Sequence, residues 1–180
     1  MAFNVTEFRA NMIGDGARPN LFEVTLTFPT IAENAVVAGQ KVSFMAKTAQ
    51  LPGSTIGTVP LYYFGRELKF AGNRTFTDWS LQIINDEDFT IRNTIESWMN
   101  AINSHSGNVR NAAAKAPSGY TVDAKVTQFG KTGDVLKTYN FIGMYPLDLA
   151  PIDLDWGSND SIEEYGVTFA YQWWEAVTTS

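Results

Sequence analysis

The chain has 180 residues and no cysteine, a length that suits a single domain with a core large enough to need no disulfide or metal. Thirteen Lys and Arg against nineteen Asp and Glu leave a net charge of −6, which argues against an electrostatic grip on nucleic acid as the main activity. The segment Met1 to Arg9 lacks the basic start and apolar run of a secretion signal, and no stretch approaches the roughly 18 apolar residues of a membrane span, so no membrane anchoring is expected.

In chain order, a polar opening leads to Leu21–Phe28. There Phe22, Val24, Leu26 and Phe28 alternate with polar residues at the period of a strand, and Pro29 ends it. Val42–Ala46 predicts a second short strand, and Leu51-Pro52-Gly53 a turn. Thr55–Phe64 is extended, with Pro60 pointing to an edge or an arm; Gly65 allows a bend before Glu67–Phe70. Thr75–Ile84 alternates again. A helix follows over residues 86–105, with Asn85 or Asp86 as its cap and Ile91, Ile95, Trp98, Met99 and Ile102 forming one apolar stripe. Its opposite face carries Arg92 and Glu96 as an i, i+4 pair. Gly107–Gly119 reads as a loop. Tyr120–Phe129 and Val135–Tyr145 are strands joined by a hairpin turn at residues 130–134, Leu147–Asp155 alternates leucines with acids, and Gly166–Val177 is a long closing strand with Val167, Phe169, Tyr171 and Trp173 on one side. The expected fold is mainly β: a single domain, residues 1–180, forming an antiparallel barrel or sandwich with one flanking α-helix and extended arms at 1–19 and 46–64.

Charge is unevenly placed. Residues 1–74 carry seven basic and five acidic side chains, residues 75–180 six and fourteen, and the segment from Pro146 to Ser180 has seven acids and no Lys or Arg. One sign of charge gathered in an aromatic-rich segment reads either as a solvated face or as a surface that repels polyanions.

Short motifs that suggest chemistry fail on their details. Gly130-Lys131-Thr132 resembles the end of a phosphate-binding loop, but Lys125 stands where the first glycine belongs and a strand follows where a helix is needed. Asp153 to Asp160 resembles a calcium loop, yet Gly157 occupies a ligand position and Ser158 the glycine position. Gly14-Asp15-Gly16 fails as a dinucleotide fingerprint because Pro19 replaces the third glycine. His105 is the single histidine, which leaves any metal cluster or catalytic triad without partners. Asp86, Glu87 and Asp88 suit a helix start as well as an acid pair. No catalytic, metal or cofactor site is expected.

Several blocks in order carry a more specific signal: Phe22-Glu23-Val24, Phe28-Pro29, Phe44-Met45-Ala46-Lys47-Thr48-Ala49-Gln50-Leu51-Pro52, Tyr63-Phe64-Gly65-Arg66, Arg74-Thr75-Phe76-Thr77-Asp78-Trp79, Ile84-Asn85-Asp86, and Phe89 through Met99. This pattern resembles the tail tube proteins of contractile-tailed bacteriophages. The resemblance implies hexameric rings stacked head to tail into a hollow tube inside a contractile sheath, with no catalysis and no cofactor. Its implied partners are other copies of the chain, the sheath protein, the baseplate initiator, the tail terminator, and the tape measure protein and then DNA in the lumen without specific binding.

The same resemblance implies that Leu51, Pro52, Gly53 and Tyr63 shape a stacking hairpin and that Gly65 and Arg66 turn and anchor the next strand, Arg66 against a carboxylate of a neighbouring subunit. It also implies sheet-to-helix packing by Trp79 and Trp98. On charge grounds, an acidic bore would keep passing DNA from sticking, and Asp123, Asp134, Asp148, Asp153 and Asp155 are the candidates to line it. Two alternatives stand beside this reading: the tube of a related contractile injection system (type VI secretion, a tailocin) or, in another class, a monomeric ligand-binding β-barrel. A hydrolase using the acids is the third.

Overall fold

The computed structural model describes residues 4–13 and 16–176. Met1 to Phe3 of the expected arm, Gly14 and Asp15 of the failed fingerprint, and Val177 of the expected closing strand lie outside the described residues. The described part of the arm carries a short helix, α1 (Val5–Asn11), with the Asn4 side chain accepting the Thr6 N–H at 3.0 Å and no helix residue buried. Strand β1 (Phe22–Leu26) follows, with Val24 and Leu26 turned into the core.

The segment expected as a strand at Val42–Ala46 is corrected. It is the end of a second helix, α2 (Ala35–Met45), and strand β2 starts only at Ala46 and runs to Ala49. The helix lies on β1 through a face of small residues: Ala38 and Val42 are fully buried, and a Cβ at Gly39 would sit 3.1 Å from the Leu26 carbonyl. Its outer face carries Val36, Val37 and Phe44 in solvent. Apolar residues on both sides hide the helical period that normally marks such a segment.

Strands β3 (Ser54–Tyr63) and β4 (Arg66–Phe76) form a two-stranded sheet of their own. Strand β5 (Trp79–Ile84), helix α3 (Thr90–Ile102), β6 (Val122–Phe129), β7 (Val135–Leu149), β8 (Glu164–Ala170) and β9 (Trp173–Ala176) complete the order. The main sheet runs β1-β6-β7-β8-β5-β2, antiparallel throughout, with β9 also paired to β7. The expected closing strand is therefore two strands: the chain breaks at Tyr171-Gln172, the alternation slips, and Trp174 and Ala176 face inward while Trp173 stays exposed.

Strand β7 belongs to two half-sheets. Residues up to Met144 pair with β6, residues 139–142 pair with β9 on the other side, and Tyr145–Leu149 pair with β8. The bend falls at Gly143, whose φ of +65 suits glycine and whose added Cβ would meet the Gln172 side chain at 3.0 Å. Its N–H donates to the Asp123 carboxylate at 2.9 Å, and the Asp123 carbonyl accepts the Thr27 hydroxyl at 2.7 Å.

The two halves and the helices enclose a row of aromatic rings. Phe28 meets Trp98 at 5.9 Å between centroids, Trp98 meets Phe169 at 6.3 Å, Phe169 meets Trp79 at 5.8 Å, and Trp79 meets Phe141 at 4.6 Å. Each buried indole keeps a hydrogen bond, Trp98 to the Tyr120 carbonyl and Trp79 to the Gln50 carbonyl, both at 2.8 Å. Replacing Trp98 with Ala is expected to cost about 3–5 kcal/mol in urea unfolding. Tyr165→Phe, which removes a buried hydroxyl with no hydrogen-bond partner among the described residues, should shift stability by less than ~1 kcal/mol.

Candidate assembly surfaces

The β3–β4 hairpin stands away from the body. Every β3 residue is exposed, and among the described residues neither strand joins another sheet. This corrects the arm expected at 46–64: Leu51, Pro52 and Gly53 form a connector, and the hairpin spans residues 54–76. Its tip is the two-residue turn Phe64-Gly65, with φ of +46 and +78, the backbone that a tight twisted hairpin requires. The alternation that marks β3 continues through Glu67 into β4, so the second half of the arm lies after Gly65 rather than before Leu51.

Cross-strand register divides the hairpin into two faces. Val59 pairs with Phe70, Leu61 with Leu68 and Tyr63 with Arg66 on one face, while Pro60 pairs with Lys69 and Tyr62 with Glu67 on the other. Val59, Leu61, Tyr63, Leu68 and Phe70 are all exposed. At the base Phe76 packs against Tyr171 and Trp174, and the Trp174 indole donates to the Gly53 carbonyl at 3.1 Å. A two-stranded hairpin is marginal by itself in water, and an apolar face of this kind marks a contact surface. Arg66 and Tyr63 lie next to its tip, and Arg66 forms no ion pair with a described residue.

Further open surfaces lie around the body. Strands β1 and β2 end the main sheet, and each has one unpaired edge among the described residues. Val5, Phe8, Met12 and Ile13 of the arm are exposed, as are Val36, Val37 and Phe44 of α2.

Helix α3 starts four residues later than expected. Phe89, in a left-handed conformation, precedes it without a side-chain cap; the Asp88 carboxylate accepts the Thr90 N–H at 2.9 Å, and Asp86 accepts the Asp88 N–H at 2.9 Å. Neither Asn85 nor Asp86 caps the helix, because both are used elsewhere. The Asn85 amide donates to the Glu163 carboxylate, and Asp86 holds Lys41 of α2 at 2.9 Å, a cation shared with Asp88. Glu33 ties α3 to the lead-in of α2, its N–H donating to Ser97 and its carbonyl accepting from Thr94. The pair Arg92–Glu96 forms at 3.0 Å, but Arg92 does not lie on the outer face. It donates to the Ala150 carbonyl at 3.2 Å and covers the Tyr165 ring at 5.1 Å, so only Glu96 points to solvent.

The five acids expected in a bore are not brought together. Asp123 clamps the bend in β7. Asp134 closes the β6–β7 turn, its carbonyl accepting the Gly130 N–H at 2.8 Å and its carboxylate accepting the Thr132 hydroxyl. Asp148 stands on β7 opposite Thr168. Asp153 and Asp155 lie in the connector between β7 and β8, where Asp155 accepts the Gly157 N–H at 3.0 Å. No group of three or more acids or histidines among the described residues has the arrangement of a metal site.

A bare hairpin, open sheet edges and a filled interior are the features of this chain to set against known proteins. Residues 17–177 match the family model of the phage tail tube protein. The chain belongs to the phage tail tube protein family. It is 32% identical over 168 residues to the tail tube protein gp19 of Enterobacteria phage T4, covering 93% of this chain and 96% of that one. The tail tube protein of Serratia phage KSP90 is 30% identical over 169 residues, with 93% of each chain covered. In fold, the chain is similar to one in the cryo-EM sheath-tube complex of an extracellular contractile injection system in the extended state, with a TM-score of 0.59 at 15% identity over 97% of this chain and 98% of that one. Tail tube proteins are structural components of the virion tail. No helix among the described residues is long and apolar enough to cross a membrane.

The Lys41 cluster has a pH signature. The Lys41 hydrogen bond, followed by the Thr90 N–H, holds the Asp88 carboxyl well below the usual carboxylate range, and Asp88 with Asp86 raises Lys41. The depressed Asp88 stabilises the fold above the unfolded carboxylate value of about 4 and loses that contribution as the pH falls further. The raised Lys41 contributes below about pH 10 and loses its contribution as the pH rises through the lysine range. Lys41→Met should therefore lower the urea midpoint most between about pH 5 and 9, with the gap to the unaltered chain closing at both extremes.

Proposed function

We propose that this chain forms hexameric rings that stack head to tail into the inner tube of a contractile phage tail. The tube is a conduit for DNA ejection inside the sheath and catalyses no reaction. Its partners are other copies of itself, the sheath protein, the baseplate initiator, the tail terminator and the tape measure protein. The observation that carries this reading is the apolar hairpin face of Val59, Leu61, Tyr63, Leu68 and Phe70, exposed on a body that has closed its own core. Open edges at β1 and β2 support lateral growth into rings by strand addition. The identity of 30–32% to phage tube proteins, against 15% for the injection-system chain, favours a phage tail. A ligand-binding barrel fits less well, because Trp79, Trp98, Phe141 and Phe169 fill the interior.

Negative-stain electron microscopy across a concentration series, beside the mass in solution, should show hollow six-fold rings or uniform hollow rods. Replacing Leu61, Leu68 and Phe70 with Ser should abolish the rods and leave the thermal midpoint of the monomer within roughly 2 °C, since none of the three is buried. A chain that stays monomeric at every concentration, with baseplate extract added, overturns the reading.

For the bore we propose the outer face of the β7–β8–β5 half. There Asp148 lies opposite Thr168, and Thr168 in turn opposite Ser80. A small polar surface with negative charge keeps passing phosphates from binding. Asp148→Lys should leave rods intact and slow DNA ejection from reconstituted virions; an unchanged ejection rate counts against this face.

A further inference from the structure

The hairpin and the connector between β7 and β8 leave the body at opposite ends of one half-sheet. Strand β5 runs from Trp79, paired with Phe169, to Ile84, paired with Glu164. The hairpin joins the body beside Trp79, two residues after Phe76 ends β4. The connector, residues 150–163, leaves from Leu149 and returns at Glu164, the far end. A six-residue strand separates the two by about 17–20 Å.

The connector is open in the same way as the hairpin. Trp156 is 100% exposed, Leu154 83% and Ile162 72%. Asp153, Asp155 and Asp160 stand among them, while the hairpin carries Arg66, Lys69 and Arg74 against a single acid, Glu67. None of these six acids and bases forms an ion pair with a described residue. The connector is anchored at its return, Glu163 by Asn85 and the adjoining Glu164 by Lys47 at 2.6 Å, and at its start by the Ala150 carbonyl, which accepts from Arg92 at 3.2 Å. Two surfaces of opposite charge, each with exposed large apolar side chains, therefore join the body at opposite ends of one strand.

We infer that the hairpin of one copy docks on the 150–163 connector of the copy stacked next to it. This rests on the tube reading and names the surface that receives the hairpin. Leu154, Trp156 and Ile162 cover the apolar face of Val59, Leu61, Leu68 and Phe70, and the basic residues meet Asp153, Asp155 and Asp160 at the rim. Because donor and acceptor surfaces lie at opposite ends, the contact is heterologous, repeats by translation and grows without closing. The apolar centre supplies affinity, while the charges set register and reject a reversed copy.

Charge reversal tests this directly. A chain with R66E, K69E and R74E, and another with D153K, D155K and D160K, should each raise the concentration needed for rods by ~10-fold or more, since like charges are brought together. Both sets in one chain, or the two variants mixed, should restore rods. As an independent readout, the cysteine-free chain carrying Tyr63→Cys and Ser158→Cys should give a ladder of cross-linked multimers with a short bis-maleimide after assembly. Rods from the unaltered chain with no rescue by the combined folded variant, or with no ladder, overturn the inference and leave the tube reading standing. The same holds if the reversals leave rods intact and abolish only sheath binding. If the combined variant does not fold, the ladder decides. Absence of rods from the unaltered chain overturns the tube reading and this inference with it.

Discussion

A strand of fifteen residues shared between two half-sheets must bend, and β7 bends where Gly143 takes up a positive φ. The rest of the body is arranged around that bend. Its first part holds β6 and β9, its last part holds β8, and the two halves turn inner faces toward each other over Trp79, Phe141 and Phe169. Asp123 keeps the bend in place by accepting the Gly143 N–H while its carbonyl takes the Thr27 hydroxyl, so β1, β6 and β7 are tied at one point. Without the bend the sheet would expose one whole apolar face, which two helices of eleven and thirteen residues are too short to cover.

The body and the hairpin are stabilised differently. The body closes its own core with buried, hydrogen-bonded indoles and helices seated on the sheet. The hairpin has cross-strand pairs and a clamp at its base, but no burial of its apolar face. Ordering such an element costs conformational entropy that its own contacts barely offset. In the proposed tube, that division would let the body fold before assembly and leave the hairpin face to be buried by a neighbouring copy.

Polar clusters at the α3 end hold the pieces in position. Lys41 of α2 reaches Asp86 and Asp88, Asn85 reaches Glu163, and Arg92 reaches the Ala150 carbonyl and the Tyr165 ring. These contacts bring together residues far apart in the chain, and Asp88 serves both Lys41 and the Thr90 N–H at the start of α3.

The sequence by itself determined the β-rich class, the positions of most strands, the helix carrying Ile91, Ile95 and Trp98, and the tight turn at Gly65. Each of these follows from local period, turn chemistry or burial preference, which act over a few residues. The ordered blocks from Phe22 to Met99 also pointed to the tail tube family. Only the tertiary structure decided that Ala35–Met45 is a helix, because its apolar residues lie on both faces and only close packing on β1 selects the inner one. It likewise decided that Arg92 turns inward, that Asp123 serves a bend, and that the hairpin runs from 54 to 76 and stands apart from the sheet. A strand's period is the same whether it joins a large sheet or projects alone, so alternation announces the strand, while its pairing partners depend on residues brought from elsewhere in the chain.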